Sequence, residues 1–204
     1  TFTVEELIHW MLTLSDNPST DVLIRRLGGV GAVATALDAL DVRGVSVRAN
    51  EAGLHARTAA LKANVEEVHP DAAPAYLEAA LLEDPNAATA IGAARGLARL
   101  ARGELLGSEA TERLLAILFE TSTGVARLQA GLPEDWRLAH KTGTGGEIGQ
   151  VSLGTNDLGL LVAPDGRQYA VAAFLAGADE SQAAREARIA ALARAVVAYQ
   201  QDCI

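Results

Sequence analysis

The spacing of apolar residues changes character near residue 120, and this limits the folds open to the chain. Before that point they recur at helical intervals. After it they fall into short runs with strand composition, divided by turn residues. Val4, Leu7, Ile8, Met11 and Leu12 mark a first helix, introduced by a Thr3/Glu6 capping-box pattern and ending near Leu14. Pro18 stands where a first helical residue belongs, and Gly28–Gly29 stops the helix it opens. Further helices are expected to near Asp41, from Asn86 to Arg102 and from Ser108 to about Glu120. Segment 43–85 has weak periodicity and half of the six prolines. It reads as a long functional loop with a helical turn or two around "APAYLEAALL". The strands follow: "WRLAHKTG", "QVSLGTNDLGLLVA" and "RQYAVAAFLAG". The tight-turn sequence "PDGR" joins the last two. A closing helix from about Asp179 is expected to bury Ile189, Leu192, Val196 and Tyr199. The expected fold is α/β of the α+β kind: a helical lobe over 1–120, then an antiparallel sheet with a covering helix over 121–204.

Composition removes several function classes. The net charge is −9 at pH 7, which leaves no basic surplus to displace counterions from a nucleic acid. No apolar run reaches the length of a membrane span. A single cysteine, Cys203, permits no intramolecular disulfide and reads as a tail residue. His9, His55, His69 and His140 show no metal-ligand spacing, so neither metal nor cofactor is expected.

Three short stretches could carry chemistry. "HKTGT" sets Lys141, Thr142, Gly143 and Thr144 on a strand, where residues 141 and 143 face one way and 142 and 144 the other. Gly143 clears room for a ligand lying along the strand, and an ammonium with hydroxyls suits an anionic carboxylate. A plain edge strand reads the same way. "SDN" at Ser15, Asp16 and Asn17 is equally compatible with a helix cap. "NEAGLH" puts Glu51 and His55 in the irregular segment, where Glu51 becomes a general-base candidate only if held over a cleft.

Taken together, and in this order, the three resemble the class A serine β-lactamases and their penicillin-binding relatives. "GELL", "TSTGVARLQAGLPEDW" and "TGTGG" extend the resemblance over essentially the whole chain. "HKTGT", "ANEAGLH" and "GTNDLGLL" are similar to the extended-spectrum, cephalosporin-hydrolysing branch, in which a His replaces the usual Asn ending the Glu motif.

The resemblance implies a β-lactamase/transpeptidase-like fold, an acyl-serine mechanism, a β-lactam substrate, a monomer, and a periplasmic or secreted location. It implies that Ser15 relays a proton to the ring nitrogen. Asn17 binds the substrate's side-chain amide, and Asp16 holds the loop. Glu51 activates the deacylating water, and His55 frames that water's pocket. Lys141 supplies positive potential. Thr142 and Thr144 bind the substrate carboxylate beside Gly143, and the Thr144 N–H gives half of an oxyanion hole. Ser152 occupies the place of a familiar carboxylate-binding Arg, and Arg127 is expected to reach the same spot.

Two departures stand out. None of the serines (15, 19, 46, 108, 122, 152, 181) has a Lys three residues later, so the family's Ser-x-x-Lys nucleophile is missing from this sequence. The expectation is that it lies on an N-terminal segment of the same protein. The alternatives are a non-hydrolytic penicillin-binding homologue and a DD-peptidase-like protein, which Glu51 argues against. In addition, Arg48 lies three residues before Glu51, where many relatives place a loop-closing Arg two before. Something else, such as a helical insertion around Tyr76, is then expected to hold Glu51.

Overall fold

The computed structural model describes residues 1–202; Cys203 lies outside the described residues. In chain order the helices and strands are α1 Val4–Thr13, α2 Asn17–Leu27, α3 Val30–Ala39, β1 Val45–Ser46, α4 Glu51–Glu67, α5 Ala73–Leu82, β2 Ala87–Ala88, α6 Ala90–Ala101, α7 Ser108–Phe119, β3 Arg137–Thr144, β4 Glu147–Ile148, β5 Val151–Ser152, β6 Thr155–Val162, β7 Gln168–Leu175 and α8 Gln182–Asp202.

The local signals explain many element ends. Thr3 and Glu6 exchange side-chain and backbone bonds at the start of α1, completing the capping box. The Asp16 side chain caps α2 by accepting from the Ser19 N–H, and Pro18 sits in the first turn, where no N–H is needed. "PDGR" makes the tight β6–β7 connection. The Gly166 N–H donates to Ala163 O, Ala163 N–H donates to Arg167 O, and Gly166 takes φ +86°, a conformation glycine adopts without strain.

Strands β3, β6 and β7 form one antiparallel sheet in the order β3-β6-β7. Its β3–β6 register places His140 opposite Gly159 and Thr144 opposite Thr155. Both faces are covered. Leu138, Leu161 and Val171 pack under α8 with Leu128, Trp136, Ile189, Ala193 and Val197. On the other face Ala139 and Leu160 pack against Leu97 of α6 and Leu118 of α7, with Leu12 of α1 at the margin.

Two expectations change. Segment 43–85 is mostly helical, with α4 and α5 and a 3₁₀ turn between them, rather than a long loop. No side chain of α4 is buried, so the helix carries no apolar stripe to announce it. The buried face of α8 also differs. It consists of Arg185, Ile189, Ala190, Ala193, Val197 and Gln200, whereas Leu192 and Tyr199 are exposed. The reason is close backbone approach: a Cβ on Gly131 would lie 2.1 Å from Ala190 O and 2.7 Å from Ala193 Cβ. The turn at 128–131 therefore presses on α8 where only small residues fit.

Candidate active site

Ser15 ends α1 with φ +58°, a left-handed conformation costly for a residue with a Cβ. The turn is held by the Asp16 N–H donating to Trp10 O. In this conformation Ser15 Oγ accepts from Lys141 Nζ at 2.8 Å, across 126 residues of sequence. Lys141 is the fifth residue of β3 and also donates to Thr142 O at 2.6 Å. The two motifs meet at this bond. Because Nζ is the donor, the Ser15 hydroxyl proton points elsewhere and is free for another acceptor. Burial pushes the Lys141 ammonium below its ordinary pKa. Glu51 and Asp157 oppose that shift and Arg127 reinforces it.

Glu51 is the first residue of α4, and the start of that helix is clamped to α2. The Asp21 carboxylate accepts from the Glu51 N–H at 2.7 Å, the Ala52 N–H at 3.0 Å and Asn50 Nδ2 at 3.1 Å. Asn50 caps α4 by accepting from Gly53 N–H. One turn along, Asn17 Nδ2 lies 2.8 Å from His55 Nε2. Asn17 and Asp21 are four apart on α2, and Glu51 and His55 are four apart on α4. Each pair shares one helix face, so Asp21 meets the first turn of α4 and Asn17 its second, and the two helices run antiparallel along this face.

Preceding Glu51, the chain is fastened by Asn86. Its Oδ1 accepts from the N–H groups of Arg48 and Ala49, and its Nδ2 donates to Ala49 O. The expected support from the segment around Tyr76 is replaced by Asp21 and Asn86. Tyr76 instead bonds Asn64, between α4 and α5. Neither Asp21 nor Asn86 stands out in the sequence, because each acts on backbone groups about thirty or more residues away.

On the rim formed by β3, Thr144 is exposed and Thr142 is 8% exposed. Thr142 Oγ1 shares a 2.6 Å hydrogen bond with Thr123 Oγ1, which lies within the "TSTGVARLQAGLPEDW" stretch. Arg127 does not extend into the cleft as expected. It is 3% exposed and lies behind the strand. Its Nη1 donates to Gly143 O and Asn156 O, its Nη2 to Thr144 Oγ1 at 2.7 Å, and its Nε to Glu186 at 3.2 Å. A guanidinium so committed anchors Thr144 and cannot also meet a ligand directly. Ser152 is 1% exposed and faces Thr155 at 3.4 Å, away from the rim. Behind Lys141, His140 pairs with fully buried Asp157 at 2.9 Å, and Asp157 also accepts from Leu128 N–H.

The structure therefore brings Ser15, Asn17, Glu51, His55 and Lys141 onto one cluster, with Gly143 and Thr144 continuing the rim. An apolar groove of about 410 Å³, lined by Phe2, Leu7, Trp10, Leu14, Pro18 and Val22, runs beside Asp16. Among the described residues, no group of three or more His, Cys, Asp or Glu is placed to hold a metal ion.

The chain is similar to known proteins in sequence and in fold. The sequence profile of the Beta-lactamase enzyme family matches residues 1–200. The chain is 32% identical to Extended-spectrum beta-lactamase PER-1 of Pseudomonas aeruginosa over 97% of its own length and 56% of that protein's. It is 27% identical to Beta-lactamase VEB-1 of the same organism, over 95% of this chain and 58% of the relative. It thus spans little more than half the length of either. Among solved structures, TLA-3 extended-spectrum beta-lactamase superposes with a TM-score of 0.81 at 26% identity, over 98% of this chain and 65% of that one.

Proposed function

The chain belongs to the beta-lactamase enzyme family, and from that premise we propose that it supplies the proton-relay, substrate-binding and deacylation groups of a class A serine β-lactamase. The nucleophilic Ser and its activating Lys come from a segment outside this sequence, at the N-terminal side of the same protein. The observation that carries the proposal is the 2.8 Å contact between Lys141 Nζ and Ser15 Oγ, with Glu51 held on the neighbouring helix end.

In this reading a serine outside the chain attacks the β-lactam carbonyl, and the Thr144 N–H helps stabilise the oxyanion. The attacking serine's proton passes to its activating Lys and on to Ser15, while Ser15 gives its own proton to the ring nitrogen as the C–N bond breaks. Lys141, already donating to its Oγ, holds that hydroxyl in the orientation to do so. Lys141 and the Thr144 hydroxyl attract the substrate carboxylate, with Arg127 positioning Thr144 from behind and Gly143 leaving the strand surface clear. Asn17 binds the side-chain amide. Glu51 then takes a proton from water as that water attacks the acyl-enzyme ester, with His55 bordering the water. Asp16, by contrast, serves the fold as the cap of α2. The exposed apolar groove beside Asp16 supports a packed partner segment there, since such surface is costly to leave in water. No helix among the described residues is long and apolar enough to cross a membrane; a periplasmic or secreted, monomeric enzyme is the proposal.

The test is intact-mass spectrometry of the protein at its natural full length, with and without a cephalosporin. A transient adduct of the drug's mass supports the reading. An adduct that never clears points to a non-hydrolytic penicillin-binding protein, and no adduct at all overturns β-lactam chemistry.

A further inference from the structure

We propose that His55 determines selectivity for β-lactams with an acylamino side chain, by fixing which way the Asn17 carboxamide faces; the inference rests on the β-lactamase reading above. The contact between Asn17 Nδ2 and His55 Nε2 is 2.8 Å. An amide nitrogen only donates, so Nε2 must be the bare nitrogen, and the imidazole carries its proton on Nδ1. One of the two Nδ2 protons is then spent on His55. The second proton and Oδ1 are presented to the cleft in one fixed arrangement: a donor for the carbonyl of the substrate's side-chain amide, and an acceptor for an ammonium.

Without an acceptor at Nε2, the carboxamide loses the bond that sets this face toward the cleft, and its flipped form becomes more populated. The flipped form sets an oxygen against the substrate's amide carbonyl. His55 is not required to hold α4 in place, because the Asp21 carboxylate already fastens the start of that helix through Glu51, Ala52 and Asn50. The histidine's bond therefore goes to orientation rather than to support. His55 is a positioning residue that acts through Asn17.

The experiment compares the full-length protein with His55→Phe, which keeps a flat ring but accepts nothing, and His55→Asn, whose amide oxygen can accept from Nδ2. Two substrates are used: a cephalosporin with a 7-acylamino group and a penam with no side chain at that carbon. The readout is the ratio of their kcat/KM values, because any part His55 plays in deacylation appears in kcat for both alike. His55→Phe is expected to lower that ratio about tenfold, the scale of one well-made hydrogen bond. His55→Asn is expected to restore most of it. An equal loss for both substrates, or an unchanged ratio, overturns the inference while leaving β-lactam hydrolysis standing. Nitrogen-15 NMR of the free protein adds a second readout that needs no turnover. A proton on His55 Nδ1 is the tautomer the proposal requires, and if no β-lactam is hydrolysed the selectivity claim falls together with the β-lactamase reading. A proton on Nε2 overturns the proposal.

Discussion

Replacing Asp21 with Ala removes one side chain that is bonded to three donors at the start of α4. Two of those donors are N–H groups of the first helical turn, which have no partner within the helix. Losing a helix-capping acceptor costs about 0.5–2 kcal/mol, and losing a carboxylate from a helix N-terminus costs about 0.3–1 kcal/mol more. The contacts are part-buried to exposed, so water recovers some of this. Together they give about 2 kcal/mol. For 150–250 residues that corresponds to a fall in Tm of roughly 4–8 °C, with the longer full-length protein toward the lower end. Asp21→Asn is instructive beside it. One oxygen survives to accept from Glu51 N–H, but the new NH₂ faces the Ala52 N–H and the Asn50 amide as donor against donor. We expect it to recover less than half of the loss. Thermal unfolding of the full-length protein measures the stability, and the decay of acyl-enzyme after mixing with a cephalosporin measures the position of Glu51. Deacylation is expected to slow more than acylation, because the clamp sits at Glu51. A Tm within about 1 °C of wild type, together with unchanged deacylation, would refute the clamp as the support of Glu51.

Three further outcomes follow from the same site. Ser15→Gly should be more stable than Ser15→Ala by about 1 kcal/mol in urea unfolding, because glycine relieves the φ +58° backbone while both variants lose the hydroxyl; equal stabilities would remove the strain argument. Arg127→Ala should cost about 3–5 kcal/mol in urea unfolding, since it strips Thr144, Gly143 and Asn156 of their donor and takes from Glu186 its paired cation, leaving it the Gln182 amide; Arg127→Lys should recover little, because one ammonium cannot span that fork. Lys141 has its pKa lowered by burial, so across the alkaline range below its unfolded value the unfolded chain binds more protons than the folded one. Stability of the wild type relative to Lys141→Met should therefore rise as pH increases through that window, and a relative stability that falls there would contradict the assigned desolvation.

Much of the framework was legible because local chemistry set it. The Thr3/Glu6 box, Pro18 in the first turn of α2 and the "PDGR" turn are all settled within a few residues of sequence. The strands were legible because a sheet covered on both faces gives short, nearly continuous apolar runs between turn residues. Helix α4 was not, since it buries nothing and depends on contacts from Asp21 and Asn86 that sequence distance conceals. The face of α8 is turned from the one its large apolar residues suggest, because the close approach of Gly131 sets Ala190 and Ala193 inward and leaves Leu192 and Tyr199 exposed. Ser15, Lys141 and Glu51 were picked out through their motifs. How they are held, and that Arg127 works from behind the strand, depended on pairings that only the folded chain makes.

The most direct test of the central claim is time-resolved intact-mass spectrometry of the full-length Glu51→Gln protein mixed with a cephalosporin. If Glu51 is the base that activates the deacylating water, acylation proceeds and the covalent drug adduct then accumulates and persists, while the wild-type adduct clears. If the variant clears its adduct as fast as wild type, Glu51 is not that base, and the functional assignment of the α2–α4 clamp falls with it.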